Sequence, residues 1–281
     1  MNLADINTVR SLLDKSGFSF KKSLGQNFLI DPDVCPAMAA AACDKDTGVI
    51  EIGPGIGVLT AELSKTAKRV VAVELDERLK KILPLTLADC KNAEIIYGDI
   101  MKMDIKKLIA EKFSDCAKIA VCANLPYYIT SPIVMGLLES RLPADNITVM
   151  VQKEAAERLC AEVGTRDAGA VSVAVSYYSE PEILFEVPRT CFMPSPKVDS
   201  AVIKLKIREK PPVSVNSEEH FFRLVKACFA QRRKTLVNTV SNTTGTEKEA
   251  IKKALESLGL PETVRSEQLS LNNLAELSNL I

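Results

Sequence analysis

The stretch Val49-Ile50-Glu51-Ile52-Gly53-Pro54-Gly55-Ile56-Gly57 decides the fold. Its first four residues read as a buried strand. The glycines after them let the backbone turn sharply and approach a ligand closely. A helical pattern follows over 57–66. A dinucleotide site of this shape needs G-x-G-x-x-G. Here the third glycine arrives one residue early, at Gly57, and position 58 is Val, so that fingerprint is broken. Working outward, 69–74, 94–97, 118–123 and 146–151 read as further short apolar strands. Helical patterns fill the gaps at 77–88, 131–140 and 152–163. Apolar strands separated by helices imply a parallel sheet covered on both faces. Upstream, Asp31-Pro32 reads as an N-cap followed by proline at the first helical position. The strand candidates 170–177, 182–187 and 200–206 lack an intervening long helix, which predicts antiparallel pairing at the far edge. Around 207–217 the polar stretch with Pro211-Pro212 reads as a linker. Beyond it, Phe221, Phe222, Val225 and Phe229 and the later leucines have helical spacing only. Two domains are expected, 1–206 and 207–281.

Composition removes several chemistries. The chain has 281 residues, 36 basic and 36 acidic, and a 47% hydrophobic fraction, which describes a folded globule and not a disordered chain. Its one histidine, His220, excludes mechanisms needing two, so most His-ligated metal sites and a Ser-His-Asp hydrolase fall away. None of the eight cysteines forms a C-x-x-C pair. They read as reduced, buried small hydrophobes. No apolar run reaches the roughly 18 residues that span a bilayer. The opening "MNLADINTVRSLLDKSG" has no secretory pattern, so a cytoplasmic protein is expected. Neutrality hides a split: 189–234 holds 11 basic residues against 4 acidic. A local field of that sign attracts polyanions.

An acid before the loop and a proline within it, G-P-G-x-G, resemble the first motif of S-adenosylmethionine-dependent methyltransferases. The expected fold class is therefore α/β, a Rossmann-like methyltransferase sheet with a small C-terminal all-helical domain. The second strand ends at Glu74, 21 residues after Gly53. In a doubly wound sheet this carboxylate lies beside the first loop and can accept both ribose hydroxyl protons. Asp99, after the third strand, is placed for the adenine amino group, with Asp104 as its competitor and a helix cap as the plainer role. After the fourth strand comes Asn124-Leu125-Pro126-Tyr127. Asn124 offers a side-chain acceptor, and Leu125 offers a carbonyl that the proline holds extended. Tyr127 offers a flat face. The set suits a planar ring with an exocyclic amine, and is similar to the motif of N6-adenine methyltransferases. One aromatic face returns about 1–3 kcal/mol against an unstacking cost of a few kcal/mol. A second face is needed, and Phe192, in a loop stiffened by Pro194 and Pro196, is the candidate; a core phenylalanine is the alternative.

In one order the chain carries "KKSLGQNFL" (21–29), "IEIGPGIGVLT" (50–60), "ANLPYYIT" (123–130), "FMPSPKVDSAV" (192–202) and "FAQRRKTL" (229–236). The combination resembles the ribosomal RNA adenine dimethyltransferases of the KsgA/RsmA type. The resemblance implies conversion of two adjacent adenosines near the 3′ end of 16S rRNA to N6,N6-dimethyladenosine, late in small-subunit assembly. S-adenosylmethionine would be the methyl donor, leaving as S-adenosylhomocysteine, with no metal. Matching positions imply that Asn27 and Leu29 close over the cofactor. Gly53 would contact its methionine part, Glu74 its ribose and Asp99 its adenine. Asn124 would sit between cofactor and target amine, and Tyr127 and Phe192 would face the target base. Gln231-Arg232-Arg233-Lys234 would begin an RNA-docking face. The partner is 16S rRNA in the assembling 30S subunit, with no membrane, and a monomer is expected. Three alternatives stay open: an adenine methyltransferase of large-subunit rRNA, a nicotinamide oxidoreductase, and a non-catalytic assembly factor.

Overall fold

A computed structural model describes residues 3–18, 27–231 and 233–281. Strand β1 is Phe28–Leu29, β2 Thr47–Ile52, β3 Arg69–Glu74, β4 Ala93–Tyr97 and β5 Lys118–Asn124. Then come β6 Asn146–Gln152, β7 Ser179–Val187, β8 Phe192–Met193 and β9 Ser200–Ile207. Among the described residues, seven strands form one sheet in the order β4-β3-β2-β5-β6-β9-β7, and β1 pairs β8 in a separate two-stranded ribbon. Strands β4 to β6 of that order run parallel, and β9 joins β6 antiparallel. The far-edge reversal expected from 182–187 and 200–206 is thus present. Chain order runs outward from β2 to β3 and β4, then jumps back to β5 on the other side. That reversal opens a crevice at the carboxyl ends of β2 and β5, where such sheets bind ligands.

The helix Val34–Ala42 covers β5 and β6 and packs against the helix Val58–Thr66, which lies on β3. Met38, Ala39 and Ala42 meet Val49, Leu63, Val70, Ala120 and Cys122 in one core cluster. All six residues of β2 are buried, as expected of a central strand covered on both faces. The N-cap of the first of these helices is Asp33 and not the expected Asp31, which sits in the turn before it, its Oδ1 accepting from the Asp33 and Val34 amides at 2.9 and 3.2 Å. Regular helix begins at Val34, so Pro32 sits in the turn before it and not at the first helical position.

The strand expected at 170–177 is a helix, Ala170–Tyr178. Alternating valines suit a strand, but packing overrides that preference. Gly169 N donates to Ser172 Oγ at 3.1 Å, starting the helix. Tyr177 and Tyr178 then form a ring cluster with Phe221 and Phe222, with centroids 5.1–5.4 Å apart. Two compact units result, Met1–Ala156 with Glu182–Ile207, and Glu157–Pro181 with Arg208–Ile281. The first unit therefore adds Ile207 to the expected stretch 1–206 and lacks the segment 157–181, which those rings tie to the C-terminal helices. The C-terminal segment is helical as expected, with helices Glu218–Cys228, Leu236–Thr244, Lys248–Ser257 and Leu271–Leu280.

All eight cysteines are free thiols; Cys35, Cys122 and Cys228 are buried and the other five half-buried. Burial pushes the thiols of the first three well up. No helix among the described residues is long and apolar enough to cross a membrane.

Candidate active site

The glycine loop is built by backbone geometry that other residues adopt poorly. Gly53, Gly55 and Gly57 have φ of +70°, +57° and +91°, all in the left-handed region. Gly53 N donates to the Val73 carbonyl at 2.9 Å, carrying the β2–β3 ladder one residue past the strand. A Cβ on Gly57 would come 2.9 Å from Leu87 Cδ2, and one on Gly55 would come 3.1 Å from the Phe28 ring. At Gly53 the space is open.

Glu74, at the end of β3, is 6% exposed and ties the loop down. Its Oε2 accepts from Gly55 N at 3.2 Å and its Oε1 from Asp76 N at 2.7 Å. Burial raises its pKa, and the amide hydrogen bonds oppose the rise. A carboxylate offers about four lone-pair sites, so two amides leave acceptor capacity for hydroxyls. Asp99 follows β4; its Oδ1 accepts from Met101 N at 3.0 Å and caps a short 3-10 turn. Asp104, its competitor, caps the helix Ile105–Lys112 through Lys107 N at 3.0 Å and does not line the same cavity.

Asn124 ends β5, level with Met150 of β6. Leu125 N donates to the Met150 carbonyl at 3.0 Å, so the motif leaves the sheet in a fixed direction. Ile129 N closes a turn onto the Pro126 carbonyl at 3.1 Å. Tyr127 is half-buried, and burial pushes its phenol up. Tyr128 beside it is 60% exposed. Phe192 sits in the ribbon opposite Leu29, and Ile30 N donates to the Cys191 carbonyl at 2.8 Å. At 4% exposed, Phe192 also belongs to the core cluster with Leu29, Cys35, Met38 and Met150. Phe192 is thus a core phenylalanine, the alternative considered for it, and part of the cleft lining.

Asn27, Leu29, Gly53, Glu74, Asp99, Asn124, Tyr127 and Phe192 all line one cleft with about 1260 Å³ of empty space, part of it open to solvent. Composition could not have placed them together; the strand reversal does. Of the arm 21–29, only 27–29 lie within the described residues, as does Arg233 but not Arg232 of the basic run. Arg233 and Lys234 are exposed.

Glu51 also lines the cleft, a role the sequence reading did not give it. It is 1% exposed, and its Oε2 has no hydrogen-bond partner among the described residues. Burial pushes its pKa up to about 8, and the charge of Glu74 adds to the rise. The signals in the sequence are an acid inside an otherwise apolar strand and its place just before the glycine loop. Ile100, Met101 and Ile133 add an apolar wall beside Asp99.

The residues present fit S-adenosylmethionine. Glu51 adds a neutral acid with an unpartnered oxygen, able to hydrogen-bond a ligand, to the cleft lining. Open space at Gly53 admits close approach, Glu74 suits vicinal hydroxyls, and the apolar wall beside Asp99 suits a purine.

A model of the ribosomal RNA adenine dimethylase family matches residues 17–280. A ribosomal RNA small subunit methyltransferase A from Geobacillus thermodenitrificans is 50% identical over 284 residues, covering 100% of this chain and 97% of that protein. Its counterpart from Bacillus pumilus is 49% identical, covering 97% and 94%. Among solved structures, a dimethyladenosine transferase from Plasmodium falciparum has a TM-score of 0.74 at 28% identity, covering 89% of this chain and 95% of that one. The 23S rRNA methyltransferase ErmE has a TM-score of 0.70 at 27% identity, covering 90% and 99%. With a glycine loop, a strand-end acid and an Asn-Leu-Pro-Tyr turn converging on one cleft, and with half of all positions shared over full length, the chain belongs to the ribosomal RNA adenine dimethylase family.

Proposed function

We propose that this protein dimethylates N6 of two adjacent adenosines near the 3′ end of 16S rRNA, late in small-subunit assembly, with S-adenosylmethionine as methyl donor. The observation that carries this reading is the meeting of Asn124 and Tyr127 with Gly53, Glu74 and Asp99 in one cleft. When bound, the donor supplies a methyl group made electrophilic by its sulfonium. Gly53 would take its methionine part, Glu74 its ribose, Asp99 its adenine, and Asn27 and Leu29 would cover it. Asn124 Oδ1 and the Leu125 carbonyl would accept from the target amine. Conjugation with the ring makes that amine a poor nucleophile; two acceptors favour a more tetrahedral nitrogen and aim its lone pair. Orientation of this kind supplies up to about 7–11 kcal/mol of barrier reduction. The cationic product amine is acidic, so no strong base is needed beforehand and no metal is required to activate either partner. Tyr127 and Phe192 would hold the base between them.

The same reading, drawn as 1–206 and 207–281 from the sequence and with 157–181 moved to the second unit, gives methyl transfer to the first unit and RNA docking to the second, where Arg232, Arg233 and Lys234 would engage phosphates. The protein would act as a cytoplasmic monomer on 16S rRNA within the assembling 30S subunit. The likeness to ErmE favours a second reading, a large-subunit adenine target. Mass spectrometry of both rRNAs from a deletion strain separates the two. Loss of the small-subunit dimethyladenosines, restored by this chain, is the expected result. Their persistence would overturn the target.

A further inference from the structure

Behind the cleft wall two hydroxyls share a hydrogen bond: Tyr127 Oη and Ser200 Oγ lie 2.9 Å apart. They are 73 residues apart in sequence. Ser200 is fully buried, and its backbone is fixed in the ladder with β6, where it is level with Gln152. Tyr127 sits on the turn after β5. A ring on a turn can rotate about two side-chain torsions, and the terminal one is soft. Tethering the far end of the ring to a sheet strand holds the first torsion and so the line of the ring axis; Oη lies on the axis of the second torsion, which the tether leaves free.

The same segment holds the other proposed ring. Asp199 Oδ1 accepts from Arg189 N at 2.9 Å, and its carbonyl accepts from Lys153 N at 3.0 Å. Ser195 Oγ donates to the Arg189 carbonyl at 2.8 Å. The loop 189–199 is thereby closed, with Phe192 inside it and Ser200 directly after it. One segment thus fixes Phe192 and the hydroxyl end of Tyr127.

We propose that Ser200 is a positioning residue for methyl transfer, holding the axis of the Tyr127 ring in place and hence its distance from the Phe192 ring. The inference rests on the reading of Tyr127 as the ring that stacks on the target adenine. It assigns no contact between Ser200 and RNA or donor.

The test compares Ser200→Ala, Tyr127→Phe, the double variant and Tyr127→Ala in the full-length protein. Substrate is 30S subunits from a strain lacking the dimethyladenosines. Thermal midpoints and calorimetric binding of S-adenosylhomocysteine are measured in parallel. Losing a net hydrogen bond should lower kcat about three- to tenfold in each single variant. KM and S-adenosylhomocysteine affinity should stay at wild-type values, and the double variant should be no slower than the slower single one. A merely structural serine would instead lower the midpoint with kcat unchanged, or would slow Tyr127→Phe further; either result overturns the proposal. Tyr127→Phe removes the same bond from the other side, so a wild-type kcat there overturns it even where Ser200→Ala does not fold. If Tyr127→Ala keeps full activity, the stacking reading itself falls, and the role of Ser200 with it. If only Tyr127→Ala is inactive, the stacking reading stands and Ser200 is excluded.

Discussion

Gly53→Ala separates a glycine kept for the fold from one kept for a ligand. Gly53 has φ +70°, and a Cβ there would meet nothing within 4 Å. The folded protein therefore has room for the methyl group, and only the backbone objects. An alanine in the left-handed region costs about 1–2 kcal/mol, less about 0.4–1 from the stiffer unfolded chain. The net of about 0–1.6 kcal/mol should lower the thermal midpoint by no more than roughly 6 °C. Gly245, at the end of the helix Leu236–Thr244, supplies the control: φ is +77° and its surroundings are equally open. Gly245→Ala should lose the same few degrees. The two should part on ligand binding. Space open at Gly53 faces the cleft, and a methyl group forced into a filled site costs about 1–3 kcal/mol. Calorimetry with S-adenosylhomocysteine should show Kd raised about 5- to 150-fold for Gly53→Ala and unchanged for Gly245→Ala. Wild-type affinity in Gly53→Ala would refute the claim that the loop lies against the ligand. Equal weakening in both would trace the effect to global strain.

Gly57→Ala combines φ +91° with a 2.9 Å approach to Leu87, so it should lower the thermal midpoint more than Gly245→Ala does. Asn124→Ala should cut methyl transfer about 10²-fold or more while RNA affinity survives; equal loss of both in filter binding would assign Asn124 a different role. Glu51 holds its proton up to about pH 8 in the fold, against 4.5 for the free acid. The native state then binds more protons than the unfolded one across that window, so stability should fall as pH rises through it. Glu51→Gln, neutral throughout, should flatten the fall in midpoint between those values, and an unchanged profile would exclude Glu51 as its source. Replacing Arg232 and Arg233 by Ala should reduce the salt slope of RNA binding by a little under one for each phosphate no longer neutralised, and an identical slope would remove them from the interface.

Sequence alone determined the features that live within a few residues of one another. The strand–loop–helix at 49–66, the acid ending at Glu74 and the turn at 124–127 are local: glycine, proline and apolar spacing dictate backbone shape over short range, and their order along the chain set the sheet. Tertiary structure decided what depends on neighbours distant in sequence. Residues 170–178 coil into a helix because Tyr177 and Tyr178 find Phe221 and Phe222, a contact that alternating valines could not announce. Glu51 becomes a buried acid with an orphaned oxygen only once β3 and β5 flank β2. Ser200 reaches Tyr127 only because β9 turns back along β6. Burial and long-range hydrogen bonds are properties of the packed sheet, and no window of sequence contains them.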